Sequence, residues 1–109
     1  MGRRYDTVSF LTDYGTQDEF VGVCKSVIRE IAPQAVVIDI THGVAPFDVR
    51  AGSLALARSI SYVASGVVLA VVDPGVATSR KALAIEVADG EGVLIGPDNG
   101  LLAPAVSMA

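Results

Sequence analysis

The sequence predicts a three-layer α/β domain: a mostly parallel sheet with helices on both faces and an antiparallel hairpin in its C-terminal part. Three observations lead there. Strand-like and helix-like stretches alternate through residue 72. The third strand-like stretch is apolar without a break, as in sheets covered on both faces. After residue 80, two short β-rich runs flank an Asp-Gly pair, the mark of a tight hairpin.

The elements follow in order. Val8 to Leu11 is a short β-rich run closed by Thr12 and Asp13. "YGTQD" is a loop, with Gly15 as its breaker and Thr16 or Asp18 as the cap of the next helix. Phe20, Val23, Cys24, Val27, Ile28 and Ile31 recur at spacings of three and four, one face of an amphipathic helix that Pro33 ends. Cys24 on that face is expected in the core. "AVVIDI" (35–40) is a buried strand and "THGVAPFD" a loop. A second helix is expected from about Val49 to Ala64, stopped by Gly66. "VVLAVV" is the third strand, "KALAIEV" the fourth and "VLI" the fifth, with "ADGEG" between the last two. "GPDNG" then leads into a final helical start. Strand–helix–strand–helix–strand with right-handed crossovers gives a Rossmann-like sheet. Ligands of such sheets bind beyond the carboxyl ends of the strands.

Composition narrows the classes. The 109 residues are expected to form one domain; 51% are hydrophobic and 18% charged, enough for a core and unlike a disordered tail. The net charge of −4 and the lack of a basic block argue against a nucleic-acid surface, while a cationic small molecule is tolerated. No run approaches the roughly 18 apolar residues of a membrane span, and the start lacks the apolar stretch of a signal peptide. One cysteine permits no internal disulfide and fits a reducing, cytoplasmic setting. "GLLAPAVSMA" ends with neither cap nor polar tail, so residues 1–109 read as the N-terminal part of something longer.

The strand ends hold the chemistry. They read "LTDYG", "IDITHG", "VVDPG" and "IGPDNG", each with an aspartate near a glycine. If the first three strands are parallel, Asp13 and Asp73 share one rim. A carboxylate there can accept two hydrogen bonds from a vicinal diol, hold a water or balance a positive charge. Each aspartate is also ordinary turn chemistry, and Asp98-Asn99-Gly100 is assigned mostly to that role. Asp39 is read as a cap for the adjoining loop. Arg80, seven residues after Asp73, is either a solvated surface charge or a partner that keeps the acid ionised. His42 has no second His or Cys nearby, so no metal site is expected and a turn role is assigned to it. Neither GxGxxG, GxxxxGK[ST] nor GxSxG occurs, which excludes the common dinucleotide, NTP and serine-hydrolase sites.

The set "FLTDYGTQDEFVGVCKSVI", "VVIDITHGVAPFDVRAGSLAL", "VVDPGVATSRKALAI" and "GPDNGLL" resembles the N-terminal domain of the S-adenosyl-L-methionine (SAM) hydroxide adenosyltransferases, from about Val8 to the end. These SAM hydrolases are related to fluorinases and chlorinases. The resemblance implies a further β-rich C-terminal domain and a homotrimer, with the active site between neighbouring subunits. It implies displacement of methionine from the adenosyl C5′ by a water-derived oxygen, with SAM as substrate and no separate cofactor. Asp13 matches the carboxylate that holds the ribose hydroxyls. Asp73 matches the acid at the reaction centre, and Arg80 its partner in a water-activating Asp-Arg-His set. Phe47 lies where halogenase relatives carry an aromatic residue against the adenosyl group. The histidine of that set falls after residue 109, and His42 does not match it, so the 109 residues alone are expected to be inactive. Halogenase relatives show a tyrosine where Asp73 stands and a threonine near Val76, which favours hydrolysis here. The alternatives are a SAM-dependent halogenase, or a non-catalytic adenosine-binding or trimer-forming module.

Overall fold

The structure, a computed structural model, describes residues 5–75 and 78–109. The chain runs β1 (Thr7–Thr12), α1 (Phe20–Ile31), β2 (Val36–Thr41), α2 (Val49–Ser59), β3 (Gly66–Val71), β4 (Ala82–Val87), a 3₁₀ turn (Ala88–Gly90), β5 (Gly92–Pro97) and α3 (Ala103–Met108). The strands form one sheet in the order β2-β1-β3-β5-β4. β1 is parallel to β2 and β3, and β3 is parallel to β5. β4 alone is antiparallel, paired with β5 at the sheet edge. The expected α/β architecture is therefore present, with one refinement. β5 is inserted beside β3 as a fourth parallel strand, so a fourth carboxyl end reaches the same rim.

The main core lies between the sheet and the α2/α3 layer. Leu11, Val68, Ala70, Val72 and Leu94 from the strands pack with Leu56 of α2 and Ala105 of α3. Side chains of a strand alternate between faces. In β1, Leu11 joins this core while Phe10 and Thr12 face the other side, where α1 lies. That second face is less well covered than the apolar run of β3 suggests. Val68 and Ala70 are buried, whereas Val67, Leu69 and Val71 are only partly so.

Helix α1 departs from the expected orientation. Phe20, Val23, Val27 and Ile31 are outward, with Ile31 80% exposed, and Val21 is the buried residue of the helix. At 3.6 residues per turn the positions 20, 23, 27 and 31 adjoin 21, 24 and 28, so the apolar arc is wider than the part the sheet covers. Cys24 is accordingly half-buried and outside the main core cluster.

Two boundaries also differ. α2 stops at Ser59, short of Ala64: the Ser59 carbonyl accepts the Tyr62 and Val63 amides, which closes a turn. Gly66 opens β3 rather than ending a helix, at φ 138°, where a Cβ would lie 2.6 Å from the Thr7 carbonyl oxygen. The β4–β5 connection is not a two-residue turn. Val87 pairs with Gly92, and Ala88, Asp89 and Gly90 all have positive φ, so the bend needs four residues.

α2 begins where Asp48 Oδ1 accepts the Ala51 amide at 3.0 Å, satisfying an amide that the helix leaves without a partner. One turn on, Gly52 lets the helix lie directly on the sheet. A Cβ there would meet Leu101 Cδ1 at 2.9 Å and Val72 Cγ2 at 3.0 Å. Val72 immediately precedes Asp73, so this close approach helps to set the end of β3. Gly52→Leu is expected to overpack this contact and destabilise the fold by about 1–3 kcal/mol. The midpoint of urea unfolding measures it, and an unchanged midpoint would show that the layer has room to spare.

Candidate active site

The site forms where β1, β2, β3 and β5 end. Each end is bent by a side chain that binds nearby backbone. Thr12 is fully buried, and its Oγ1 accepts the Tyr14 amide at 3.1 Å, turning the chain after β1. Gly15, at φ 75°, donates its amide to the His42 carbonyl at 2.8 Å and so ties the β1 loop to the β2 loop. Between these anchors, Asp13 Oδ2 accepts the Phe47 amide at 2.6 Å. Phe47 itself has φ 64° and is 62% exposed.

After β3, Asp73 Oδ1 accepts the Gly75 amide at 2.9 Å and is ion-paired with Arg80, whose Nε lies 3.1 Å away. Asp73 thus binds the backbone of its own turn and is also ion-paired with Arg80. Oδ2 takes no bond from the described residues, which leaves it for a ligand or water. Arg80 Nη1 also donates to the Asp98 carbonyl at 3.2 Å. The guanidinium lies over Gly75, where a Cβ would stand 2.5 Å from Nε and Nη2. Asn99 Nδ2 donates to the Val72 carbonyl at 2.9 Å, and its Oδ1 accepts the Leu101 amide at 3.0 Å. The "GPDNG" loop is therefore more than a turn: it braces both members of the Asp73–Arg80 pair.

Asp13, Tyr14, Pro46, Phe47, Val71 and Asp73 line one cavity of about 210 Å³. Of the residues expected to bind or react, Asp13, Phe47 and Asp73 are thus brought together, and Arg80 joins through Asp73. Val76 lies outside the described residues. Tyr14 was not anticipated. Its ring meets Phe20 edge-on at 4.7 Å. Burial, then the nearby Cys24, Asp13 and Asp73, push its phenol above the usual range, so it stays neutral.

Asp39 and His42 also differ from expectation. His42 is 6% exposed, with Nδ1 2.7 Å from Thr12 Oγ1 and Nε2 2.8 Å from Asp39 Oδ1. Asp39 Oδ2 accepts from Lys25 Nζ at 2.6 Å. Neither residue is a simple turn former. The cause is a register shift between β1 and β2: Phe10 pairs with Asp39, but Leu11 pairs with Thr41. Strict alternation would set positions 39 and 42 on opposite faces; a slip of one residue puts both on the face of Thr12. Burial raises the Asp39 carboxyl, but hydrogen bonds from His42 and Lys25, with their charge, outweigh it and hold the group below its ordinary value.

The sign of the resulting acid sensitivity is fixed. A carboxyl lowered in the folded state stabilises the fold above its unfolded pKa, near 3.8, and loses that contribution as pH falls through the folded value. The stability gap between wild type and Asp39→Asn is expected to narrow as urea unfolding is followed from pH 6 into this acid range. A gap that stays constant throughout contradicts it.

Known proteins are similar to this chain in sequence and fold. Residues 8–109 match the family described as the SAM hydroxide adenosyltransferase N-terminal domain, and the chain belongs to that family. It is 51% identical over 100 residues to an (R)-S-adenosyl-L-methionine hydrolase of Salinispora tropica, covering 92% of this chain and 38% of the relative. A fluorinase of Actinoplanes sp. is more distant, 25% identical over 121 residues, covering 91% of this chain and 41% of the relative. Among solved structures, a conserved hypothetical protein from Thermus thermophilus superposes with a TM-score of 0.79 at 46% identity, covering 92% of this chain and 41% of that one. The chain thus spans well under half the length of the relatives it matches.

Proposed function

We propose that the protein carrying this chain hydrolyses SAM to adenosine and L-methionine. The observation that carries this reading is the Asp73–Arg80 pair beside Asp13 at one cavity, in a chain 51% identical to a named SAM hydrolase. A sulfonium is already a good leaving group and needs no acid catalyst. The demanding step is delivery of an oxygen nucleophile in line with C5′. Asp13 holds the ribose hydroxyls, and Phe47 lies against the adenosyl group. Asp73 orients a water through its free oxygen, and Arg80 favours hydroxide character in that water. As the O–C5′ bond forms, the C5′–S bond breaks, its electron pair stays on sulfur as the thioether of methionine, and the proton of the water passes by way of the Asp73 carboxylate to solvent.

Asp73 disfavours the halogenase reading, because a carboxylate at the reaction centre repels a halide but not a water. SAM is the substrate and no further cofactor is invoked. A homotrimer in the cytoplasm completes the proposal. The trimer is supported by the outward apolar stripe of α1 and by the exposed Phe47 at the cavity wall, and the reducing setting by the free Cys24.

Asp13→Ala is expected to weaken adenosine binding at least tenfold, since each charge-assisted hydrogen bond contributes about 1.5–3 kcal/mol. Calorimetry on the intact protein measures this, and an unchanged Kd returns Asp13 to its turn role. Asp73→Asn and Arg80→Ala should each slow single-turnover hydrolysis, with the double variant hardly worse than either, as for residues acting on one water. Gly75→Ala should resemble Arg80→Ala, because the new methyl displaces the guanidinium without removing it. Normal turnover in a folded Arg80→Ala protein would rule out the water-activating role. Adenosine binding without turnover in the intact wild type would favour a non-catalytic module.

A further inference from the structure

We propose that Thr12, His42, Asp39 and Lys25 form a hydrogen-bonded relay that positions Asp13, with His42 as a positioning residue for ribose recognition. The bonds run without a break from β1 to α1. Thr12 Oγ1 accepts the Tyr14 amide and lies 2.7 Å from His42 Nδ1. The ionised Asp39 can only accept, so Nε2 carries the ring proton. Nε2–H thus faces Asp39, and Nδ1 faces the threonine hydroxyl. No buried polar side-chain atom among the described residues lacks a partner.

The sequence Thr–His–Asp suggests a nucleophile, but the burial forbids it: Thr12 is 0% exposed and no substrate can reach its oxygen. What the relay can do is hold position. Asp13 is flanked by Thr12, the inner end of the relay, and by Tyr14, whose amide Thr12 holds. The His42 carbonyl takes the Gly15 amide, and the loop that leaves His42 returns the Phe47 amide to Asp13. The ring is further held edge-on by Phe10 at 5.0 Å. Both loops that define the orientation of the Asp13 carboxylate thus meet at one residue, His42. The outer end, Lys25–Asp39, joins α1 to β2 at the half-exposed surface. This inference rests on the proposed role of Asp13 for its functional consequence, but its geometry can be tested separately.

Thr12→Val keeps the shape and removes the hydroxyl; Thr12→Ser keeps the hydroxyl. In the intact protein, Thr12→Val is expected to weaken adenosine binding about fivefold to tenfold, the effect of one lost hydrogen bond on an aligned carboxylate. Thr12→Ser should bind as wild type. In an Asp13→Ala background Thr12→Val should weaken binding no further, whereas a purely structural role would lower the melting temperature and leave Kd alone. Asp39→Ala, at the half-exposed end, gives a second variant should Thr12→Val fail to fold, with a weakening of about threefold expected. Two readouts need no ligand. Nitrogen-15 NMR of His42 should show a proton on Nε2, and hydrogen exchange of the Phe47 amide should speed up in Thr12→Val and Asp39→Ala. A His42 ring without a proton on Nε2, or wild-type Kd and Phe47 exchange in both folded variants, overturns the relay. Wild-type protein that binds neither adenosine nor SAM would instead sink the proposed function, while the NMR and exchange readouts still decide the relay.

Discussion

A parallel strand that stops inside a domain leaves backbone amides and carbonyls that must find partners, and this requirement organises the molecule. At the rim they are met by short polar side chains. Thr12 takes the Tyr14 amide, Thr41 the Gly43 amide, Asp13 the Phe47 amide and Asp73 the Gly75 amide. Asn99 serves a carbonyl and an amide at once. The sheet supplies the common direction of four strand ends, and these bonds supply the path of each loop. Without them the carboxylates would still be present but would not share a cavity.

Two uses of an aspartate, as turn former and as ligand contact, are therefore not rivals here. Asp13 gives one oxygen to the Phe47 amide, and Asp73, among the described residues, takes the Gly75 amide and the Arg80 ion pair on Oδ1. In each case the backbone bond orients the carboxylate and leaves acceptor capacity over. A turn that binds its own backbone through half of a carboxylate is already a partly built binding site. The glycine beside Asp73 has a separate task, since only a residue without Cβ leaves space for the Arg80 guanidinium.

Much of this was legible in the amino-acid order, and the remainder was hidden for identifiable reasons. Asp73 stood out because an apolar run ends on an acid before Pro-Gly, and Arg80 because it follows within one loop. The element order and the shared rim followed from alternating periodicity. The relay through His42 was not legible, because its partner Thr12 is 30 residues away and the register shift that brings Asp39 to its side is a property of the paired strands. The outward face of α1 was hidden because periodicity reports the width of an apolar arc and not which part of it the sheet covers. The early end of α2 and the four-residue bend after β4 were lost where local propensity is weak and carbonyl partners decide. Asn99 carried a signal, an Asn-Gly pair, that names a turn without saying which strand the side chain braces.

The backbone of Phe47 has a consequence for anyone reshaping this protein. A phenylalanine at φ 64° holds about 1–3 kcal/mol of conformational strain that glycine would not. A search for thermostable variants would rank position 47 among its first choices and replace the ring with glycine or asparagine. The amide would still reach Asp13, the melting point would rise, and the cavity would lose an aromatic wall. Stability and the adenosyl contact proposed for this residue pull in opposite directions, so under that proposal a gain in heat tolerance at 47 is the wrong criterion by which to keep a variant.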